Sequence, residues 1–343
     1  MADQLVTLAQ IQAARPLVAS RVHRTPVLSS ATAARFVRAA SGLEVADGRL
    51  YVKAEQLQKT GSFKPRGMSW KVASLTAEER ERGIITLSAG NAAQAYAWAG
   101  RTAGVPVTVV MPAGAVRSKV DACLGYGAEV ILHGKDVGEA LAEMERLREA
   151  RVLTYCHPFD DPFVIAGHGS IGLEILEDLP EVDVVVVGVG GGGLISGVAG
   201  ALKESRPQVR VYGVEPERSN AVSLGLERGE VVRIQPVSVA DGLGAPFAGE
   251  WTLAMARRYL DGIELLDDPT ILAGMRFAAE RMKQVLEPAG SAALAALLTG
   301  RIPLRAGDRV LALASGGNVE VSRQSELFGM ASPLPGASPL PAT

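Results

Sequence analysis

The stretch V-D-V-V-V-V-G-V-G-G-G-G-L-I-S-G, residues 182–197, runs from an apolar strand through four adjacent glycines into a helix-like segment. A strand that is apolar at successive positions is buried on both faces, as parallel strands are when helices cover each side of their sheet. The glycines turn the chain and leave bare backbone N–H groups beside a helix start, where the helix dipole adds positive potential. A mere turn needs no such run, because each glycine costs conformational entropy on folding. The stretch therefore reads as a strand–loop–helix unit that cradles an anion, with phosphate the favoured occupant.

Working outward, helical spacing of apolar residues predicts helices over 5–20, 92–103, 117–126, 137–151 and 194–205. Short apolar runs predict strands over 50–54, 83–87, 105–111, 129–132, 183–187 and 210–214. Two more helices are expected between residues 249 and 282, then a helix over 291–298 and a strand over 309–314. Alternating strands and helices make an α/β class with parallel strands. No internal repeat is visible. The Pro-rich tail, residues 331–343, reads as a flexible end.

The chain has 343 residues, 48% of them hydrophobic, enough to fill one large domain or two modest ones. Lys plus Arg (35) nearly balance Asp plus Glu (37), so nothing advertises a nucleic-acid or anionic-membrane partner. A small neutral or zwitterionic ligand fits better. Cys123 and Cys156 form no C-x-x-C pair and read as buried apolar residues. The first twenty or so residues lack the apolar core of a signal peptide, and no run is long enough to cross a bilayer, so a cytoplasmic protein is expected.

Two phosphate ligands compete for the glycine loop. Gly188, Gly190 and Gly193 satisfy G-x-G-x-x-G, and Glu215 closes the next strand where a dinucleotide fold places its ribose-binding acid. That reading gives no role to three other stretches, T-G-S-F-K-P-R-G-M (60–68), S-A-G-N-A-A-Q (88–94) and S-G-G-N (315–318). Each is a cluster of small polar residues near a strand end, and such ends gather at one edge of an open parallel sheet. An amine, a phosphate cradle and amide side chains converging there point to pyridoxal phosphate. Pro65 suits the first turn of a helix, which puts Lys64 at a helix start.

T-G-S-F-K-P-R-G, S-A-G-N, G-G-G-G-L-I-S-G, E-P-A-G and S-G-G-N, in this order, resemble the fold-type II pyridoxal-phosphate enzymes, specifically the threonine/serine dehydratase and serine racemase family. The likeness runs from about His23 to Val319. It implies an α/β fold similar to the tryptophan synthase β subunit, with two open, twisted, mostly parallel sheets and flanking helices. Residues 1–82 and 158–330 would form a large cofactor-binding domain, and 83–157 a small domain that closes over the cleft. A homodimer is implied as well.

By the same resemblance Lys64 would carry the cofactor as a Schiff base and then act as the base at the substrate α-carbon, with Phe63 beside the ring. Gly190, Gly191, Gly192, Gly193 and the Leu194 amide would hold the phosphate. Asn91 would bond the ring hydroxyl; a helix cap before Ala92 is the other reading, compatible with the first, and Ser315 would face the ring nitrogen. Gly242 and Glu287 would line the pocket. Ser88, Ala89, Gly90, Asn91 and Ala92 would receive the substrate carboxylate. Glu215 matches a position that helps bind a cation such as Mg, Ca or K; otherwise it is a strand-end carboxylate in a polar network. The implied reaction is β-elimination from L-threonine or L-serine to a 2-oxo acid and ammonia, with another β-hydroxy amino acid or β-replacement as alternatives. Ala89 stands where serine racemases resemble S-S-G-N-H, which argues against racemisation. Ala92 stands where dehydratases usually show His, which leaves the substrate preference open.

Overall fold

The computed structural model describes residues 5–336. In chain order its elements begin with α1 (Leu8–Arg21), β1 (Val27–Ser30), α2 (Ala31–Ser41), β2 (Leu50–Ala54), α3 (Pro65–Ala73) and α4 (Ala77–Arg82). There follow β3 (Ile84–Leu87), α5 (Asn91–Ala103), β4 (Val107–Met111), α6 (Arg117–Gly125), β5 (Glu129–Leu132), α7 (Val137–Arg151) and β6 (Thr154–Tyr155). Next come α8 (Pro162–Asp178), β7 (Val184–Gly188), α9 (Gly193–Ser205), β8 (Arg210–Pro216), α10 (Ala221–Arg228) and α11 (Glu250–Tyr259). The chain continues with β9 (Gly262–Leu266), α12 (Asp268–Phe277), α13 (Pro288–Leu298), β10 (Val310–Ala314) and α14 (Val321–Gly329).

The valine strand is β7, near the middle of a six-stranded sheet ordered β1-β2-β10-β7-β8-β9. Every pairing is parallel except that of β1 with β2. Val185 and Val187 enter an apolar cluster with Ile11 of α1, Ile165 of α8, Val198 of α9 and Met255 of α11. Val184 and Val186 enter the opposite cluster with Val37 of α2, Ile271 of α12 and Leu294 of α13. Double-sided burial is why the strand is apolar throughout, and each such side chain contributes roughly 1.5–3 kcal/mol.

The second sheet, ordered β5-β4-β3-β6, is wholly parallel. Met144 of α7 covers one face and Tyr96 of α5 the other. Met68 and Val72 of α3 share the Tyr96 cluster, so the helix following Lys64 packs on the small sheet as well as on α8. The α3–α8 contact is backbone to backbone: a Cβ on Gly167 would lie 2.7 Å from the Gly67 Cα.

The tail expected from residue 331 lies outside the described residues from 337 on. Its first part is docked, with the Ser332 amide donating to Pro269 O at 3.0 Å and Leu334 packing on the large core. Among the described residues no helix is long and apolar enough to cross a membrane.

Candidate active site

A cleft of about 370 Å³ opens between the two sheets. Apart from Glu215, every residue selected from the sequence lines it: Phe63, Lys64, the five residues 88–92, the five residues 190–194, Gly242, Glu287 and Ser315.

Lys64 is the N-cap residue of α3, with Pro65 at the first helical position. Its Nζ donates to Pro158 O at 3.0 Å and lies 5.1 Å from the centre of the Phe63 ring. Burial brings its pKa down to about 8, against the opposing pull of Glu287.

The glycine loop faces Lys64 across the cleft. None of the amides of Gly190, Gly191, Gly192, Gly193 and Leu194 donates to another group among the described residues, and Gly192 reaches φ +90 at the N-cap of α9. Five orphan donors at a helix start fit a phosphate dianion, which accepts several hydrogen bonds at once. Phe159 backs the loop so closely that a Cβ on Gly191 would lie 2.4 Å from its ring. Asp160, the next residue, accepts from the amides of Glu250 and Thr252 at 3.1 and 3.0 Å and so caps α11.

Asn91 is the first residue of α5, whose N-cap is Gly90, so the capping alternative does not hold. Its Nδ2 donates to Glu287 Oε1 at 2.6 Å, and its Oδ1 accepts from Asn318 Nδ2 at 2.8 Å. Both ends of the amide are held, and one Nδ2 hydrogen remains for the cleft. Glu287 is buried; burial and the nearby Asp241 carboxylate push its pKa up to about 7. The amides of Ala89, Asn91 and Ala92 have no acceptor among the described residues, so a second set of free donors stands at a helix start. Ser315, directly after β10, presents a neutral hydroxyl.

Glu215 is placed elsewhere. It is fully buried, and its two oxygens accept from the amides of Val222 and Ser223, both at 2.9 Å, capping α10. It faces no ribose site, so the dinucleotide reading fails at its acidic residue. The described residues hold no cluster of three His, Cys, Asp or Glu able to bind a metal.

Sequence reasoning missed the polar layer behind Lys64. Arg66, fully buried, bonds Glu55 of the β2–α3 connection and Glu174 of α8 through four contacts of 2.7–2.9 Å. Lys53 adds a 2.7 Å bond to Glu174. His168 of α8 accepts the Gly67 amide at Nδ1, 3.1 Å away. It also missed Lys119 and Asp241, whose 2.5 Å ion pair stands at the cleft mouth. The sole local signal for α8 is D-P at 161–162, an N-cap followed by a first-turn proline.

Two open α/β sheets, with a lysine amine facing an amide-lined anion cradle, define a fold-type II pyridoxal-phosphate scaffold. The chain belongs to the family described as pyridoxal-phosphate dependent enzyme, whose pattern it matches over residues 20–316. It is 41% identical over 319 residues to an L-threonine ammonia-lyase of Thermotoga maritima, covering 93% of this chain and 77% of that one. It is 38% identical to the catabolic L-threonine dehydratase TdcB of Staphylococcus aureus, covering 94% and 91%. Maize serine racemase superposes with a TM-score of 0.87 at 32% identity, covering 94% and 96%.

Proposed function

We propose that this chain is an ammonia-lyase that removes the β-hydroxyl of L-threonine, L-serine or both and yields a 2-oxo acid and ammonia. The observation that carries the reading is the meeting, in one cleft, of the Lys64 amine with the orphan amides of residues 190–194 and the helix start at 88–92. The reaction class rests on the ammonia-lyase and dehydratase relatives, which match nearly the whole chain.

Bound here, pyridoxal phosphate supplies an aldehyde for amines and a ring that accepts electron density from the substrate α-carbon. The amides of Gly190, Gly191, Gly192, Gly193 and Leu194 would hold its phosphate; Asn91, Phe63 and Ser315 would flank its ring. Gly242 and Glu287 complete the wall on the Asn91 side. Lys64 Nζ takes the substrate α-proton. With a pKa near 8, a useful fraction of the amine is neutral at physiological pH, whereas an ordinary lysine would be almost entirely ammonium. The free amides of Ala89, Asn91 and Ala92, aided by the dipole of α5, hold the substrate carboxylate. Ala89 brings a methyl group to the cleft and no proton donor, which favours elimination over racemisation. Glu215 stays outside the proposal, since both its oxygens serve α10. The family resemblance supports a cytoplasmic homodimer, and sedimentation of the purified protein checks the assembly.

The test is to offer L-threonine, L-serine, D-serine and 3-phenylserine to the protein loaded with pyridoxal phosphate and to measure 2-oxo acid. Product from one or both L-amino acids of the first pair is expected, with none from D-serine. A protein that binds the cofactor yet forms no 2-oxo acid from either L-threonine or L-serine would overturn the reading.

A further inference from the structure

We propose that His168 is a positioning residue for Lys64, acting as an external cap on the helix that Lys64 begins. The proposal rests on the reading of Lys64 given above. A helix start leaves its first amide groups without intrahelical partners, and the N-cap side chain ordinarily accepts one of them. Lys64 holds that place in α3 and caps nothing, because an ammonium only donates. Pro65 removes one orphan donor by having no N–H. The Gly67 amide donates instead to His168 Nδ1, 3.1 Å away on α8.

This contact defines the state of the ring. Nδ1 accepts, so the proton of the neutral imidazole stands on Nε2. Full burial, with Lys64 and Arg66 nearby, holds the pKa well below its ordinary value and keeps the ring neutral. The ring also meets Phe63 edge-on at 4.7 Å, so the residue preceding Lys64 is held by the same histidine. Gly67 must be glycine here, because a Cβ would lie 2.5 Å from the imidazole Cε1. Between the two contacts Arg66 is clamped to Glu174, on the same helix. The chain on both sides of Lys64 is thus held against α8, by the Phe63 ring before it and by the Gly67 amide and the Arg66 side chain after it, while Lys64 Nζ itself makes one bond, to Pro158 O. A residue that must exchange partners without losing its position needs such a rigid base.

The experiment uses His168→Asn, whose amide oxygen can take the place of Nδ1, beside His168→Ala and His168→Leu, which offer no acceptor. Deuterium exchange at the Gly67 amide is measured with and without cofactor, and kcat and KM for L-threonine are measured on the loaded enzymes. Loss of the cap in the Ala and Leu variants should speed exchange about tenfold and lower kcat about tenfold, with KM moving less than about threefold. His168→Asn should restore most of both. Unchanged Gly67 protection in His168→Ala and His168→Leu would overturn the proposal, and so would a His168→Asn enzyme as impaired as those two. Should the wild type prove inactive on both L-amino acids, the exchange measurement still decides the cap, separately from the proposed reaction.

Discussion

Glu287 shows how one buried carboxyl can tie the site to pH. Its Oε1 accepts the Asn91 amide, and burial with Asp241 nearby raises its pKa from 4.5 to about 7. Between those values the folded chain keeps a proton that the unfolded chain releases. The stabilisation from the protonated carboxyl is therefore complete below about pH 4.5 and is lost as pH rises through about 7. Glu287→Gln keeps an oxygen for Asn91 but does not titrate. In protein prepared without cofactor, the stability of wild type relative to this variant should fall by about 2–3 kcal/mol between about pH 5 and about pH 7. Melting curves of the two proteins across that range check it, and parallel curves would contradict it. Lys64 itself adds no slope there, because its pKa of about 8 lies above the window.

At the scale of elements, the segments that sequence made legible are those whose signal is local. Pro65 announces α3, the glycine run announces the start of α9, and helical spacing of apolar residues gives α7 with both of its ends. Helix α8 is not legible in the sequence, because V-I-A-G-H-G-S-I-G carries three glycines, which ordinarily weaken a helix. Their reason is tertiary: a Cβ on Gly167, Gly169 or Gly172 would run into Gly67, Ile11 or Ala201. Strand β6 has two residues, and β9 is only partly buried, so neither leaves an apolar run to read. The polar partners on α8 were illegible for the same reason, since nothing near Glu174 in sequence names Arg66. Glu174→Ala should cost about 3 kcal/mol, because it leaves two fully buried cations, Arg66 and Lys53, with a single carboxylate each, Glu55 and Asp178. Urea unfolding measures the loss; a change below about 1 kcal/mol would mean that the remaining carboxylates suffice.

At the scale of the whole molecule, the cleft is spanned by contacts between α6, beside the small sheet, and the large sheet's loops. Lys119 pairs with Asp241 at 2.5 Å, and Ser118 donates to Glu320 at 2.7 Å. Of these, Lys119 and Asp241 line the same cleft as the glycine loop, so Lys119→Met should raise KM for L-threonine by about threefold or more. Steady-state kinetics at fixed ionic strength checks this, and an unchanged KM would mean that the pair has no part in substrate binding. The roles of the cradle, the carboxylate site and the His168 cap all depend on Lys64 as the amine that meets the cofactor. Borohydride reduction of the pyridoxal-phosphate-loaded protein, followed by peptide mass mapping, tests that most directly. A pyridoxyl group is expected on the peptide bearing Lys64 and none at that position in Lys64→Ala; a label on another lysine of the wild type, or none despite bound cofactor, would contradict it.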